Sequence, residues 1–434
     1  MQLTNEEQAQ IARIKEKIPR IAALDPECKL FGSEGWKYQW PKPAREAEIA
    51  SWEKKHGVTL PWEYRIFLRY IANGGPAHAY GLESLGGTEI YGDITKESPI
   101  PLYMTQQDVD VLNAGRTEED DEFSFFDGAL TILTLGCTYD ICLVVTGQYR
   151  GRLMLTDGDE EYPFDFIYDK NFLDWYERWL DDFIAGMSMK GFDRSLPGTQ
   201  IQLREWFLTE KIPDLRRPIL FSLCRFPQTE PETLALWEHV CRTENDKELC
   251  EEAFIRLRQK KASCAADFFR LYFTMPGELR DIAIKDLRFA CRDSVVNIED
   301  YIHSLLIMMP ELDDETLSSA VFAIQETEYN KYDTFLPLLE LITDDRQQTL
   351  LWAMSKAPDF NESRGFVELV LPVFTSSKME NVREAILLLI EVKDNRIPPL
   401  VDEAATRFPE LVTNGAIVIH TQRLKSDPGG NLLS

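Results

Sequence analysis

The feature that most constrains the fold of this 434-residue chain is a change of pattern along its length. Strand-like runs occur only between Leu82 and Phe166, and apolar residues follow helical spacing on both sides of that segment. Strands framed by helices predict an α+β domain with a mixed or antiparallel sheet. After a polar stretch rich in glycine and methionine no strand pattern returns, so the rest of the chain is predicted to be all helical.

Apolar helix starts recur at similar distances in the C-terminal half. They lie at Leu215, Leu249, Leu279, Thr316, Thr349 and Val382, with spacings of 34, 30, 37, 33 and 33 residues. A second apolar helix follows after a short break, as over 335–342, 366–374 and 397–408. Two helices every ~30–45 residues are typical of an α-solenoid, here of HEAT-like type. An irregular helical bundle is the alternative, because the side chains at matched positions vary.

These patterns divide the sequence into five segments. They are a lead-in helix with an aromatic loop (1–40), the α+β domain (41–186), a linker (187–197), the helical repeats (198–425) and a tail (426–434). No apolar run approaches the ~18–20 residues needed to cross a bilayer. No secretory signal is visible at the N-terminus. The prediction is a cytoplasmic protein without membrane association.

The chain is strongly acidic, with 73 acidic and 47 basic side chains and a formal net charge of −26. Such a field repels nucleic-acid phosphates and anionic lipid, and it attracts basic partners. Direct nucleic-acid binding is therefore disfavoured, and solubility alone is the alternative explanation of the charge. The eight cysteines contain no C-x-x-C pair and stand mostly in apolar stretches. Buried thiols in a reducing compartment fit this better than disulfides or a zinc site.

No catalytic motif is recognisable in the sequence. The phosphate-binding, dinucleotide-binding, zinc-protease and nucleophile-elbow patterns are absent. The acidic turn from Asp157 to Glu161 lacks the ligand spacing of an EF-hand loop. We therefore predict a non-catalytic protein without cofactor or metal. The alternative is an enzyme whose site assembles from carboxylates that are distant in sequence.

Three motifs follow one another between 45 and 180. The first, Gly-x-x-Leu-Pro-x-x-Tyr-x-x-Phe-Leu and then Asn-Gly-Gly, has Gly57, Leu60, Pro61, Tyr64, Phe67, Leu68, Asn73, Gly74 and Gly75. The second, a strand and its turn, has Gly136, Gly147 and Gly151. The third is an aromatic helix with Trp175 and Trp179. In this order and spacing, the motifs resemble the SUKH superfamily, the Smi–Knr type of bacterial immunity domain.

The resemblance covers about residues 41–186, roughly a third of the chain. It implies a SUKH-like α+β domain that binds a specific protein toxin, often a nuclease, and blocks it. The motif residues themselves are predicted to be scaffold. Glycines end helices and turns, proline begins a helix, and the aromatic residues pack the core.

The predicted partner-binding residues are mostly acidic. They are Glu118, Glu119, Asp120, Asp121, Glu122 and the following Phe125, together with Asp157, Asp159 and Glu160. Carboxylates beside exposed aromatic residues suit a basic protein surface, by steering and then anchoring it. The alternative is an acidic loop whose aromatic residues belong to the core.

The functional hypothesis is an immunity protein that neutralises a basic toxin or effector domain by binding it through this acidic surface. A regulatory adaptor that joins two proteins without inhibiting either is the alternative. The sequence makes no prediction of the oligomeric state.

Overall fold

The computed structural model describes residues 3–114, 124–342, 345–360, 365–389, 392 and 394–413. Contacts divide the chain into two compact units, Met1–Val240 and Cys241–Ser434. The first begins with α1 (Asn5–Leu24), α2 (Ser33–Trp36), α3 (Glu46–His56), α4 (Trp62–Tyr70), α5 (Gln106–Ala114), β1 (Ala129–Gly136), β2 (Tyr139–Val144), β3 (Leu153–Asp157), β4 (Asp165–Phe166) and α6 (Phe172–Ile184).

The helix ends follow from local sequence. Thr4 and Glu7 form a capping box at the start of α1, in which each side chain accepts a hydrogen bond from the other residue's backbone N–H. Gly57 ends α3 with a φ of +70°, which glycine adopts without steric cost. Pro61 immediately precedes α4, where its missing N–H leaves no helical hydrogen bond unmade. Local sequence therefore determines where α1 and α4 begin and where α3 ends.

The four strands form one antiparallel sheet in the order β1-β2-β3-β4. Side chains alternate between its faces. Ile141 and Leu143 of β2 join the large core, and Cys142 and Val144 join a smaller cluster on the opposite face. Both faces of β2 are therefore covered along most of its length, as its unbroken apolar run predicts.

Helix α6 closes the large core. Its side chains Phe172, Trp175, Tyr176 and Trp179 are fully buried. The Tyr176 hydroxyl accepts a 2.8 Å hydrogen bond from Trp40 Nε1 and donates to Pro76 O at 2.9 Å. Truncating one such aromatic residue to alanine typically costs about 3–5 kcal/mol, so α6 is central to the stability of this unit.

The segment 187–197, which the sequence predicts to be a linker, contains the buried residues Met189, Phe192, Asp193, Ser195 and Leu196. Its 3₁₀ helix spans Phe192–Arg194. The division of the chain into domains stays a prediction, including the boundaries at residues 40, 186 and 425.

Two buried arginines, Arg178 and Arg225, donate hydrogen bonds to this segment. Arg178 of α6 pairs with Asp169, with Nη2 2.6 Å from Oδ2. Arg225, after the next helix pair, donates to Ser188 O and to Asp182 Oδ2, both at 2.8 Å. Both guanidinium groups also donate to the hydroxyl of Ser195. Buried charges that are paired in this way are expensive to separate.

Beyond residue 198 the described chain is largely helical, with fourteen α-helices. They are α7 (Gln200–Thr209), α8 (Pro213–Cys224), α9 (Pro231–Thr243), α10 (Lys247–Gln259), α11 (Ala265–Thr274), α12 (Glu278–Arg292), α13 (Ile302–Met308), α14 (Asp314–Gln325), α15 (Tyr332–Phe335), α16 (Gln347–Ser355), α17 (Phe366–Val370), α18 (Met379–Leu388), α19 (Ile397–Arg407) and α20 (Glu410–Thr413).

The predicted repeat starts fall on alternate helices, α8, α10, α12, α14, α16 and α18. In the second unit, α12 contacts α14, α14 contacts α16, and α16 contacts α18. The all-helical prediction is confirmed, and the HEAT-like solenoid type stays a prediction. No helix within the described residues is both long and apolar enough to span a membrane.

Candidate protein-binding groove

An acidic groove with a volume of about 840 Å³ lies at the hairpin end of the sheet. Thr134 and Asp140 contribute to its floor and lie directly opposite each other in the register of β1 and β2. They occupy the face that carries the smaller cluster, at the end that this cluster leaves open. We call this site the acidic groove.

One wall of the acidic groove comes from a loop segment that runs beside β1. Glu83 N donates to Ile132 O at 2.9 Å, and Thr131 N donates to Glu89 O at 3.0 Å. Both glutamate side chains are exposed and line the groove with Tyr91. Backbone hydrogen bonds to a core strand therefore fix where these two carboxylates stand.

Gly74, in the loop after α4, allows the segment that carries Glu83 to pass close to the backbone of this loop. Its φ is +84°, and a Cβ placed there would lie 2.6 Å from Glu83 O. The neighbouring Asn73 accepts a 2.9 Å hydrogen bond from Leu85 N. The Asn-Gly pair of the first motif thus positions the glutamate-bearing segment.

The other wall is the turn after β3, which carries Asp159 and Glu160. The buried Asp157 organises this turn. Its carboxylate accepts hydrogen bonds from Thr138 Oγ1 at 2.8 Å and from the backbone N–H groups of Asp159, Glu161 and Tyr162 at 3.1–3.3 Å. Burial acts to raise the pKa of Asp157, but these hydrogen bonds outweigh it and lower that pKa below its ordinary value.

Five carboxyl groups line the acidic groove, those of Glu83, Glu89, Asp140, Asp159 and Glu160. The described lining residues include no lysine, arginine or histidine. Burial raises the pKa of Asp140, and the charge of Glu89 raises it further against an opposing hydrogen bond with Thr134. A hydrogen bond to Glu89, together with burial, raises the pKa of Tyr91 to about 12. The groove therefore favours cationic groups such as lysine or arginine side chains.

The structure brings two of the predicted partner-binding residues, Asp159 and Glu160, into this groove. Asp157 is 2% exposed and holds the turn from inside, so its prediction as a surface contact is wrong. Glu118, Glu119, Asp120, Asp121 and Glu122 lie outside the described residues.

Phe125 also differs from the prediction of an exposed anchor. It is 1% exposed, and its ring centroid is 5.5 Å from that of Phe164. Together with Phe126 it belongs to the smaller cluster, which covers the sheet face opposite α6. The physical reason is that the sheet presents Met154 and Val144 on this face, and these apolar side chains also require cover.

Three carboxylates of the groove are not among the partner-binding residues that the sequence predicts. Glu83 and Glu89 stand alone in a loop without any periodic pattern, and only their pairing with β1 brings them near Asp140. Asp140 carried a weak signal, since it precedes an apolar strand in phase with Cys142 and Val144.

The predicted scaffold residues occupy structural positions. Leu60, Tyr64, Phe67, Leu68, Trp175 and Trp179 are at most 1% exposed. The six motif glycines, Gly57, Gly74, Gly75, Gly136, Gly147 and Gly151, all have positive φ. The conformations and burial of these residues thus correspond to those of the predicted scaffold.

Comparison with known proteins gives one match. Residues 43–178 match the model of the SMI1 / KNR4 family (SUKH-1). This segment is a SUKH domain. The matched residues run from just before α3 into α6, so they include the sheet and the acidic groove. No curated protein and no solved structure matches the chain.

The SUKH family includes immunity proteins, and its domains are generally non-catalytic. Similarity to this family suggests that the partner is a protein. Among the described residues, no group of three or more histidine, cysteine, aspartate or glutamate side chains is arranged to hold a metal ion. The chemistry that the acidic groove offers on its own is recognition of positive charge.

Proposed function

We propose that this protein is a bacterial immunity protein that neutralises a basic toxin or effector domain by binding it at the acidic groove of its SUKH domain. The observation that carries the proposal is the set of five carboxyl groups around one concavity, without a basic residue among the described lining. A partner's lysine and arginine side chains would enter this concavity. Binding there would cover the cationic surface that a nuclease-type toxin needs for its own substrate.

Charge and shape support a macromolecular partner in different ways. The net charge of −26 attracts a basic protein over distances of about a Debye length, ~8–10 Å at physiological salt. The acidic groove adds fixed positions, because Asp157 and the pairing with β1 hold its walls. Long-range attraction then sets the association rate, and contacts in the groove determine how slowly the complex dissociates.

The test uses the full-length chain and the toxin domain encoded by a neighbouring gene. The wild-type chain is expected to restore growth of cells that express the toxin and to bind it in titration calorimetry. The affinity should fall steeply as salt is raised. The triple variant Glu83→Gln, Glu89→Gln and Asp159→Asn should bind about 10–100-fold more weakly, since each exposed charge contact contributes up to about 1 kcal/mol.

A matched control removes three exposed carboxylates elsewhere in the same unit, by Glu16→Gln, Glu34→Gln and Glu97→Gln. It has the same net charge as the triple variant and should retain most of the affinity. Equal losses in the two variants would mean that net charge alone matters. Binding that salt does not weaken would contradict an acidic docking site altogether.

A regulatory adaptor is the second candidate, and the division into two compact units favours it, because each unit presents a surface of its own. An adaptor would bind two proteins at once and would leave the activity of both intact. Measuring the toxin's activity in the purified complex therefore separates the candidates. Full inhibition supports the immunity function, and full activity supports the adaptor.

A further inference from the structure

A second groove, with a volume of about 790 Å³, begins where the acidic groove ends, since Cys137 lines both. Its strand residues are Leu135, Tyr139 and Leu155, which lie on the sheet face opposite Thr134 and Asp140. Leu30, Phe31, Met189 and Phe221 complete an apolar lining. We call this site the apolar groove.

The apolar groove carries two exposed cationic side chains, Lys190 and Arg194. Neither of them forms an ion pair with any described residue. The Arg194 guanidinium carbon lies 5.8 Å from the centre of the Tyr139 ring, and its charge also acts on Asp165. The carboxylate of Asp193 is already engaged by His78 and Trp175 inside the protein.

This combination specifies a ligand with a long apolar part and an anionic end. The volume lies within the range of small-molecule sites, about 300–1,000 Å³. Its lining is aliphatic and aromatic, so a peptide in extended conformation would place amide groups against side chains that cannot hydrogen-bond them, which is costly. An alkyl chain has no such groups. The strong negative field of the chain disfavours anions elsewhere, so two unpaired cations mark where an anion is tolerated.

We propose that the apolar groove binds an amphipathic carboxylate with a linear alkyl chain, such as a medium-chain fatty acid. The alkyl chain packs against Phe31, Leu155 and Met189, and the carboxylate lies at Lys190 and Arg194. This site is independent of the protein-binding function proposed above. The two grooves share one lining residue, Cys137.

The experiment is titration calorimetry of the full-length chain with decanoate and decyltrimethylammonium below their critical micelle concentrations and with 1-decanol below its solubility limit. Decanoate should bind, decanol should bind about tenfold more weakly, and the cation should not bind detectably. In the double variant Lys190→Gln and Arg194→Gln, decanoate should lose about tenfold in affinity. The control variant Lys54→Gln and Lys55→Gln removes two exposed charges from α3 and should bind decanoate like the wild type.

A third variant, Phe31→Ala, tests the apolar wall. Phe31 is 59% exposed, so its truncation leaves the core intact and should weaken decanoate and decanol equally. The proposal fails if decanoate gives no heat, or if the double variant binds it as tightly as the wild type. It also fails if a peptide ending in Leu-Phe with a free carboxylate displaces decanoate at lower concentration, because the groove would then recognise a protein terminus.

Discussion

His78 Nδ1 lies 2.6 Å from Asp193 Oδ2, and this pair joins the loop after α4 to the 3₁₀ helix that follows α6. Asp193 also accepts a 3.0 Å hydrogen bond from Trp175 Nε1. Burial acts to raise the pKa of Asp193, but the charge and hydrogen bond of His78 outweigh it and, with Trp175, hold that pKa below its ordinary value. The ionised carboxylate is therefore the form that the fold stabilises.

Replacing Asp193 by asparagine should destabilise the first unit by about 3 kcal/mol at neutral pH, because His78 and Trp175 lose a buried carboxylate partner. A carboxylate whose folded pKa is lowered contributes stability above its ordinary pKa, about 4, and loses it as pH falls further. The difference between wild type and variant in urea unfolding should therefore shrink below about pH 4. The exposed Asp159→Asn should change stability by less than about 0.5 kcal/mol. A similar effect of both substitutions would contradict the role of the pair.

Gly74→Ala should destabilise the fold and disturb the glutamate wall of the acidic groove. The added Cβ would meet Glu83 O at 2.6 Å, and the residue would keep a strained positive φ. We expect a loss of about 3 kcal/mol and faster amide hydrogen exchange over 82–91. Gly186→Ala is the matched control. Its φ of +70° carries the same strain, but no atom lies within 4 Å of the added group, so about 1 kcal/mol is expected. Equal losses would show that the close approach is unimportant.

Asp157→Ala should release the turn that carries Asp159 and Glu160. The substitution removes the acceptor of one side-chain and three backbone hydrogen bonds. Hydrogen exchange of the amides of 159–162 should accelerate about tenfold or more, since each lost bond is worth about 1 kcal/mol. Asp159→Ala should leave exchange at Glu161 and Tyr162 close to that of the wild type. Unchanged exchange in the Asp157 variant would mean that the turn is held by other contacts.

Asp286 of α12 should give the second unit a pH dependence of opposite sign. Burial raises the pKa of Asp286 to about 7; the pairing with Arg258 opposes this rise, and the negative charge of Asp293 adds to it. A carboxyl group with a raised folded pKa holds its proton more tightly in the folded state. Stability should therefore fall as pH rises from about 4 to about 7, by at most about 4 kcal/mol, and then level off.

Asp286→Asn tests this dependence, because asparagine does not titrate. The variant should lose the decrease between about pH 4 and pH 7 in denaturant unfolding, monitored by hydrogen exchange in α10 and α12. The exposed Asp267→Asn on α11 should retain the decrease. If both variants follow the wild type, another group is responsible for the pH dependence.

Much of the fold could be predicted because it is encoded locally. Gly57 ends α3, and Pro61 immediately precedes α4. The four-residue spacing of Trp175 and Trp179 places both on the buried face of α6. The alternating helices after residue 198 follow from apolar spacing in the same way. Such signals depend only on residues within one or two helical turns.

The acidic groove could be predicted only in part. Glu83 and Glu89 reach Asp140 through backbone pairing between a loop and β1, which no local pattern encodes. The acidic cluster predicts that Asp157 lies at the surface, yet four donors surround its carboxylate inside the turn. The partner-binding hypothesis requires an exposed Phe125, but its ring covers the second face of the sheet, in line with the alternative that this residue belongs to the core. In each case a long-range contact decided the role.

Arg225 has a practical consequence for dissecting the chain. Its guanidinium group reaches back to Asp182 at the end of α6 and to Ser188 and Ser195 beyond it. A fragment cut after residue 186 would lose this arginine together with Asp193 and Ser195. The fragment would leave Asp182 with Arg178 as its ion-pair partner but without Arg225, and it would leave the His78 imidazole and Trp175 Nε1 without the Asp193 carboxylate. Binding studies on the isolated N-terminal half should instead use a fragment that extends to about residue 240.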